Sequence, residues 1–300
     1  MLPAHKINEK ILLNEKDIKI ESLSLKIWKR FIRNKLALAG LIILIITFFI
    51  AIFAPFIAPY DPDKIDESCN GIPFPPGLKH LFGTDNYGRD YLSRAIYGSR
   101  VSMTVGFVAV FIYVSIGTFL GSIAGFSGGT VDAIIMRVVD IMLCLPTFFF
   151  ILTIQVMLEP NILNVMLVIG FTSWPSVARL VRGQFLSIKE ELYVQAARAC
   201  GASNIRIIVR HILPNAFPSI IVLATLGIAG AILTESVLSF MGIGVQPPYA
   251  SWGSMLHDGQ EYIRTAPWMA LFPGLLIMIT VLGFNFIGDG LRDAMDPKVW

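Results

Sequence analysis

Tyr193 to Ala216 reads YVQAARACGASNIRIIVRHILPNA, a polar, helix-patterned stretch set between long apolar runs. Between Arg179 and Arg210 the chain carries eight charges: Arg179, Arg182, Lys189, Glu190, Glu191, Arg198, Arg206 and Arg210. At about 3 kcal/mol each, placing them in hydrocarbon would cost on the order of 24 kcal/mol. The segment therefore stays in water or against protein. Its pattern predicts two short helices. The first begins near Lys189, with Tyr193, Ala196, Ala197 and Cys200 along one face, and stops at Gly201, the residue best suited to a left-handed C-terminal position. Ser203 or Asn204 caps the second, in which Ile205, Ile208, Val209 and Ile212 form an apolar stripe opposite Arg206 and Arg210. Pro214 marks the start of the next helix.

Outward from this stretch the chain is mostly apolar. Of 300 residues, 55% are apolar and 15% charged, and the mean hydropathy is +0.68. A soluble domain rarely carries so little charge. Six stretches free of Asp, Glu, Lys and Arg are long enough to span a bilayer: Leu36–Tyr60, Val101–Phe126, Ile141–Leu158, Asn161–Ala178, Ile212–Thr234 and Thr265–Ile287. The expected fold is an all-α membrane protein, a polytopic bundle of about six transmembrane helices. With the N-terminus inside, eighteen of the 24 Lys and Arg residues fall on inner segments, so the positive-inside rule places both termini in the cytoplasm. The expected organisation is a cytoplasmic tail over 1–35, a first span over 36–58, an extracytoplasmic loop over 59–100, a core over 101–288 with a cytoplasmic loop at 179–214, and a cytoplasmic tail over 289–300. The first apolar run begins after residue 35 and is too long for a typical signal-peptide core, so it reads as an anchor.

Before that run, SLSLKIWKRFIRNK places Leu23, Ile27 and Phe31 at helical spacing among Lys26, Lys29, Arg30 and Arg33. This pattern suits either a basic topogenic flank or a helix lying on an anionic leaflet. The outer loop is proline-rich and ends in GTDNYGRDYLSRAIYGSR, where Asp90 and Arg94 are expected to pair at i,i+4. Asp85, Asn86 and Asp90 do not have calcium-loop spacing. Gly117, Gly121 and Gly125 form a four-residue row that lets a neighbouring helix of the same bundle come close. Polar residues at membrane depth mark candidate pathway positions: Gln155, Ser173, Glu235 and Asn285, with Asn164 beside them. Glu235 stands near the outer end of its span, at a cost of roughly 2.5–3.5 kcal/mol at the helix centre on insertion scales.

Other functions find little support. The dipeptide Gly-Lys is absent, and with it any phosphate loop, so the chain is not expected to bind a nucleotide itself. His5, His80, His211 and His257 are dispersed, and Cys69, Cys144 and Cys200 fit neither a disulfide framework nor a metal site. No enzymatic site, cofactor or metal is expected.

The order Ala196-Ala197-x3-Gly201 followed by Leu213-Pro214 resembles the "EAA" coupling motif of ABC importer permeases, Glu-Ala-Ala-x3-Gly-x9-Ile-x-Leu-Pro. Gln195 stands where the motif has Glu, and His211 where it has Ile. The segments FGTDNYGRDYLSRAIYGSRVS, GGTVDAIIMRVVDI, RHILPNA, QPPYASWGSML and FNFIGDGLRDAMDPK are similar to those of the C-type permease subunit of peptide importers, a group that also includes nickel importers. SWPSVARLVRGQFLSIKEE leans toward the oligopeptide branch over the dipeptide one. The resemblance implies a type I ABC importer permease fold in a cytoplasmic (inner) membrane, forming half of a pore with a second homologous permease chain. It also implies two P-loop ATPase subunits that bind ATP and Mg, and an extracytoplasmic binding protein that delivers the peptide. Its coupling loop would comprise Gln195, Ala196, Ala197, Gly201, Ala202, Ser203, Leu213 and Pro214. A nickel or other small-ligand importer, or a membrane scaffold without transport, are the competing readings.

Overall fold

The computed structural model describes residues 23–66, 69 and 71–295, so of the expected tails over 1–35 and 289–300 the parts at 1–22 and 296–300 lie outside the described residues. Among the described residues the elements are helical, apart from two isolated bridges, Ile65 with Arg89 and Thr84 with Asp90. Helix α1 (Leu23–Arg33) and α2 (Lys35–Ile52) are separated by Asn34, whose side chain accepts hydrogen bonds from the Leu36 and Ala37 N–H groups. The first span ends earlier than the charge pattern suggests. Pro55 opens a separate turn, α3 (Ala54–Ile57), where proline suits a first helical turn because it has no N–H to offer the Ala51 carbonyl.

Helix α4 (Tyr91–Ser127) begins ten residues before the expected span, since Asp90 caps it by accepting from the Ser93 N–H at 2.8 Å. Its 37 residues rise roughly 55 Å, well beyond a ~30 Å hydrocarbon layer. The third expected span is not one helix. It breaks into α5 (Gly129–Cys144) and α6 (Thr147–Met157), bent by 84°. The cause is legible in the chain: Pro146 has no N–H to donate and drives Leu145 out of the α region, and both residues are extended. Helix α7 (Ile162–Ile188) runs ten residues past Ala178, because Arg179 and Arg182 meet acids on α5. Arg182 is bidentate to Asp132 at 2.5 and 2.6 Å, and Arg179 pairs with Asp140 at 2.5 Å. After α8 (Leu192–Ala199) and α9 (Asn204–Ile207) come α10 (Leu213–Phe240), α11 (Trp252–Gly259) and α12 (Trp268–Met295). Residues 289–295, expected in a tail, complete α12.

The directions of these helices follow from their contacts. A Cβ at Gly117 would stand 2.5 Å from the Cβ of Val177, one at Gly121 2.5 Å from the Ala178 carbonyl, and one at Gly125 2.6 Å from the Cβ of Phe185. Positions rise together, so α4 and α7 run parallel along the glycine row. The row is an intramolecular seam, as its spacing predicts. Two parallel helices need a return between them, and α5 with α6 is the chain that makes it. Ser102 meets Glu235, Gly106 meets Ile228 and Ile232, and Tyr113 meets Gly227, so α10 is antiparallel to α4, and Gly283 meets Ile43 and Leu44 on α2 while Gly40 meets Ile287 on α12. Six traverses result. Lys35, Ser127, Ile188, Leu213 and Met295 come to one face, here called the basic face.

At the opposite face the loop over 59–90 is folded by charge. Asp85 accepts from the Tyr87 and Arg89 N–H groups, both at 2.9 Å, and from Arg89 Nε at 2.7 Å. The expected Asp90–Arg94 pair does not form. Asp90 is used as the α4 cap and by His80 Nδ1 at 2.8 Å, while Arg94 turns to Asp63 and Asp85 at 3.5 and 3.7 Å. Burial raises the carboxyl pKa of Asp258, on α11 beside this cluster, against the pull of Arg94 and Arg89.

Candidate coupling and pathway site

The segment from Glu190 to Leu213 stands on the basic face as two short helices. Helix α8 stops as its composition predicts. Gly201 has φ +82, the Ala202 N–H reaches the Ala197 carbonyl at 3.1 Å, and the Gly201 N–H reaches that of Arg198 at 3.0 Å. This is the wrap by which a left-handed residue satisfies the last carbonyls of a helix. The Ser203 hydroxyl then accepts from the Arg206 N–H at 3.4 Å, capping α9. Ala196, Gly201 and Ser203 are exposed, with Ala197 and Ala202 half-buried. Gln195, in the place of the motif's acid, donates its amide to the Glu190 carbonyl at 3.0 Å. Partial burial, with Glu191 beside it, raises the Tyr193 phenol above its usual range.

The expected stripe on the second helix is displaced. Of its members, Ile212 is fully buried and Ile208 packs partly on the main core, but Ile205 and Val209 are 75% and 58% exposed, and Ile207, outside the stripe, is fully buried there with Val194. The reason is a π-turn over Ile208–Ile212, which slips the register by one residue. Pro214 explains the turn. It offers no N–H to the Arg210 carbonyl, and the ladder re-forms one residue longer, with the Leu213 N–H bonded to the Ile208 carbonyl. Asn215 adds its side-chain amide to the His211 carbonyl at 2.6 Å. Helix α9, the π-turn and α10 therefore make one unbroken rod from Asn204 to Phe240.

That rod forms one wall of a groove of about 710 Å³, between α4, α7, α10 and the end of α12. Ser173, Ser176 and Gln184 of α7 line it at helical spacing, facing Ser219 and Thr234 of α10, and Arg292 of α12 stands near the basic face. Gly227 leaves room for the Tyr113 hydroxyl, which a side chain there would strike. Of the four pathway candidates only Ser173 reaches the groove. Asn285 is half-buried elsewhere on α12, and Gln155 is buried on α6 with neither amide atom hydrogen-bonded among the described residues. Glu235 is fully enclosed. Its carboxylate accepts from Ser239 Oγ at 2.7 Å, Ser102 Oγ at 3.2 Å and Ser236 Oγ at 3.5 Å. Ser102 also receives the Trp252 N–H and Ser239 the Val245 N–H, so this acid knots α4, α10 and the segment after α10 together. Sequence reading missed Ser176, Gln184, Ser219 and Arg292. The polar repeat Ser173, Ser176, Gln184 on one face of α7 was the signal that could have found three groove positions.

A family of known proteins matches this arrangement. The binding-protein-dependent transport system inner membrane component covers residues 117–300, and the N-terminal TM domain of oligopeptide transport permease C covers residues 22–76. The chain belongs to the binding-protein-dependent transport permeases. The dipeptide transport system permease protein DppC of Alkalihalophilus pseudofirmus is 46% identical over 91% of this chain and 89% of its own length. The oligopeptide transport system permease protein OppC of Bacillus subtilis is 42% identical over 94% and 93%, and the glutathione transport system permease protein GsiD of Escherichia coli 42% over 91% and 89%. The permease is thus of the OppC/DppC type. Among solved structures, the inward-facing MetNI methionine ABC transporter superposes with a TM-score of 0.55 at 19% identity, covering 68% of this chain and 98% of that one, a likeness of fold. As a permease component it is a multi-pass membrane protein in a transport system whose ATPase activity lies on separate subunits.

Proposed function

We propose that the permease forms half of a translocation pore for peptides, with oligopeptides as cargo, and that α8 and α9 couple it to ATP hydrolysis. The observation that carries this reading is the unbroken rod from the capped knob at Gly201–Ser203 to the groove wall. A force applied at Ala196, Ala197, Gly201, Ala202 and Ser203 reaches the rod across the short capped turn at Gly201–Ser203, and from Asn204 passes through Leu213 and Pro214 into α10 along continuous helix. The basic face is cytoplasmic, with both termini inside, a reading that the excess of Lys and Arg on that face supports. There the knob meets one of two P-loop subunits carrying ATP and Mg, and a second homologous permease closes the open side of the groove. An extracytoplasmic binding protein delivers the peptide to the opposite face.

The groove suits such a cargo. Its lining is hydroxyl, amide and apolar, with Arg292 the charged member. Along α10 it extends from Pro218 to Thr234, about 24 Å of helix. An extended chain of about seven residues at roughly 3.3 Å each has that length. The hydroxyls of Ser173, Ser176 and Ser219, with Thr234 Oγ as an acceptor since its proton goes to the Gly230 carbonyl, recognise peptide backbone, which all sequences share.

Two measurements test the reading. In a Cys144→Ser background, a membrane-impermeant maleimide should label the exposed Cys200 in inside-out vesicles and spare it in right-side-out ones; the opposite pattern would put the knob on the wrong side and end the coupling account. In proteoliposomes holding the complete complex, binding protein loaded with oligopeptide should stimulate ATP hydrolysis and uptake. Stimulation by dipeptides alone would shift the cargo, and stimulation by nickel alone would remove peptides from the account.

A further inference from the structure

Around α1, three kinds of side chain occupy three separate arcs. Phe31, buried, and Ile27 pack on Ala37, Leu41, Ile287, Leu291 and Ala294, where α2 meets the end of α12. Gly290 makes the seat close, since a Cβ there would stand 3.3 Å from the Phe31 ring and overlap Ala37. On the neighbouring arc, Leu25, Trp28 and Ile32 follow i, i+3, i+7 spacing and are 43%, 53% and 41% exposed. Trp28 leans on Phe31 with the rings stacked at 6.1 Å, which fixes its direction. Beyond them, on the third arc, are Lys26, Lys29 and Arg33, and exposed Lys35 follows in the first turn of α2.

What covers the Leu25–Trp28–Ile32 arc follows from the joint beside it. Asn34 is the only residue between α1 and the apolar span α2, and its capping bonds hold the turn, so α1 cannot leave the level of the headgroups. At that depth an apolar arc bordered by cations matches the boundary between acyl chains and anionic headgroups. An aromatic residue with an N–H at its rim belongs in the same layer.

We propose that α1 is a binding site for anionic phospholipid of the bilayer. Leu25, Trp28 and Ile32 enter the acyl layer just beneath the headgroups, and Arg33 and Lys35 meet the headgroup phosphates. Phe31 holds this site against α12, whose Arg292 and Met295 line the groove, so a lipid bound at α1 lies one helix away from the transport path.

The test uses the full-length chain in phosphatidylcholine vesicles containing a minor fraction of brominated lipid, either brominated phosphatidylglycerol or brominated phosphatidylcholine. The chain has five tryptophans, so the Trp28 signal is the difference between the native chain and Trp28→Phe. Shallow acyl bromines should quench it more than deep ones. Brominated phosphatidylglycerol should quench it more than brominated phosphatidylcholine at equal fraction, an enrichment of about fivefold for each cation engaged. The enrichment should vanish in Arg33→Gln/Lys35→Gln and survive in Arg33→Lys/Lys35→Arg, which shows that charge rather than folding is read. A Trp28 signal untouched by any lipid bromine would overturn the proposal, as would equal quenching by the two lipids.

Discussion

Replacing Gly201 separates a backbone requirement from a contact requirement. At φ +82 the residue occupies the left-handed region, and a Cβ added there meets nothing within 4 Å. Sterics against the rest of the chain therefore contribute nothing, and the cost of an L residue is the backbone term, about 1–2 kcal/mol, with β-branched residues at its upper end. Such a cost changes the ratio of the capped knob to a frayed one by about 5–30-fold. Because the loop is exposed and its anchors Val194, Ile207 and Ile212 are untouched, insertion and melting of Gly201→Val should remain near native. Uptake and ATP hydrolysis, followed in the same proteoliposomes, should diverge: transport per ATP falls within that range for Val, less for Ala, and little for Asn, which tolerates the left-handed region. A Val variant that transports as well as the native permease would refute the lever. An Asn variant as damaged as Val would show that bulk against a docked surface, not the backbone turn, sets the requirement.

Gly121→Val should destabilise the bundle by about 1–3 kcal/mol or more, because its Cβ would stand 2.5 Å from the Ala178 carbonyl; Gly183→Ala, inside α7 where nothing lies within 4 Å, should instead melt slightly higher, by about 0.5–1 kcal/mol of helix propensity. Glu235→Leu should strip Ser102 and Ser239 of an acceptor, at about 1–3 kcal/mol for each hydroxyl left unsatisfied, while Glu235→Gln, which keeps an acceptor oxygen, should melt closer to native. Asp258 is more easily protonated in the folded protein than in the unfolded one. Its ionised form thus withholds stability at neutral pH, and stability should rise as pH falls from the raised folded value toward the ordinary carboxylate value. Asp258→Asn should melt higher than native at neutral pH and flatten that part of the profile; an unchanged profile would show that Arg94 and Arg89 already offset the burial.

What could be read from the chain depended on how local the governing interaction was. The stop at Gly201, the cap at Ser203 and the glycine seam at Gly117–Gly125 are settled by residues within a few positions or by a strict repeat, and they were legible. Span ends were not, because a run free of charge ends where the charge begins. The helix ends where its backbone loses partners. Arg179 and Arg182 stay helical since Asp140 and Asp132 are supplied by another segment, and Glu235 stays buried since Ser102 arrives from far along the chain. The bend at Pro146 was local and available, but a proline inside an apolar run is also tolerated by α7, α10 and α12, at Pro175, Pro218 and Pro273. Likewise Pro214 announced a helix start, while the π-turn that puts Ile207 in the core in line with Ile212 follows from its missing N–H one turn earlier.

The proposed coupling sets a geometric demand on α10 that its contacts can be weighed against. Gly227, where the Tyr113 hydroxyl lies against the backbone of the rod, stands about 35 Å of helix from Asn204 and about 20 Å from Phe240. If the rod turns there, a push of about 5 Å at the knob, one helical turn, tilts it by about 8° and moves the outer end by about 3 Å the other way. The Glu235 knot ensures that this motion is not lost at the outer end, since Ser102 and the Val245 and Trp252 N–H groups are bonded into it. The points of give lie on the other arm, at the π-turn and at Pro218, between the knob and the pivot. A π-turn left to itself would absorb a displacement of that size. Here Ile207 precedes it and Ile212 closes it, both fully buried in the main core, so the one irregular turn of the rod is pinned at both ends, as the proposed coupling demands.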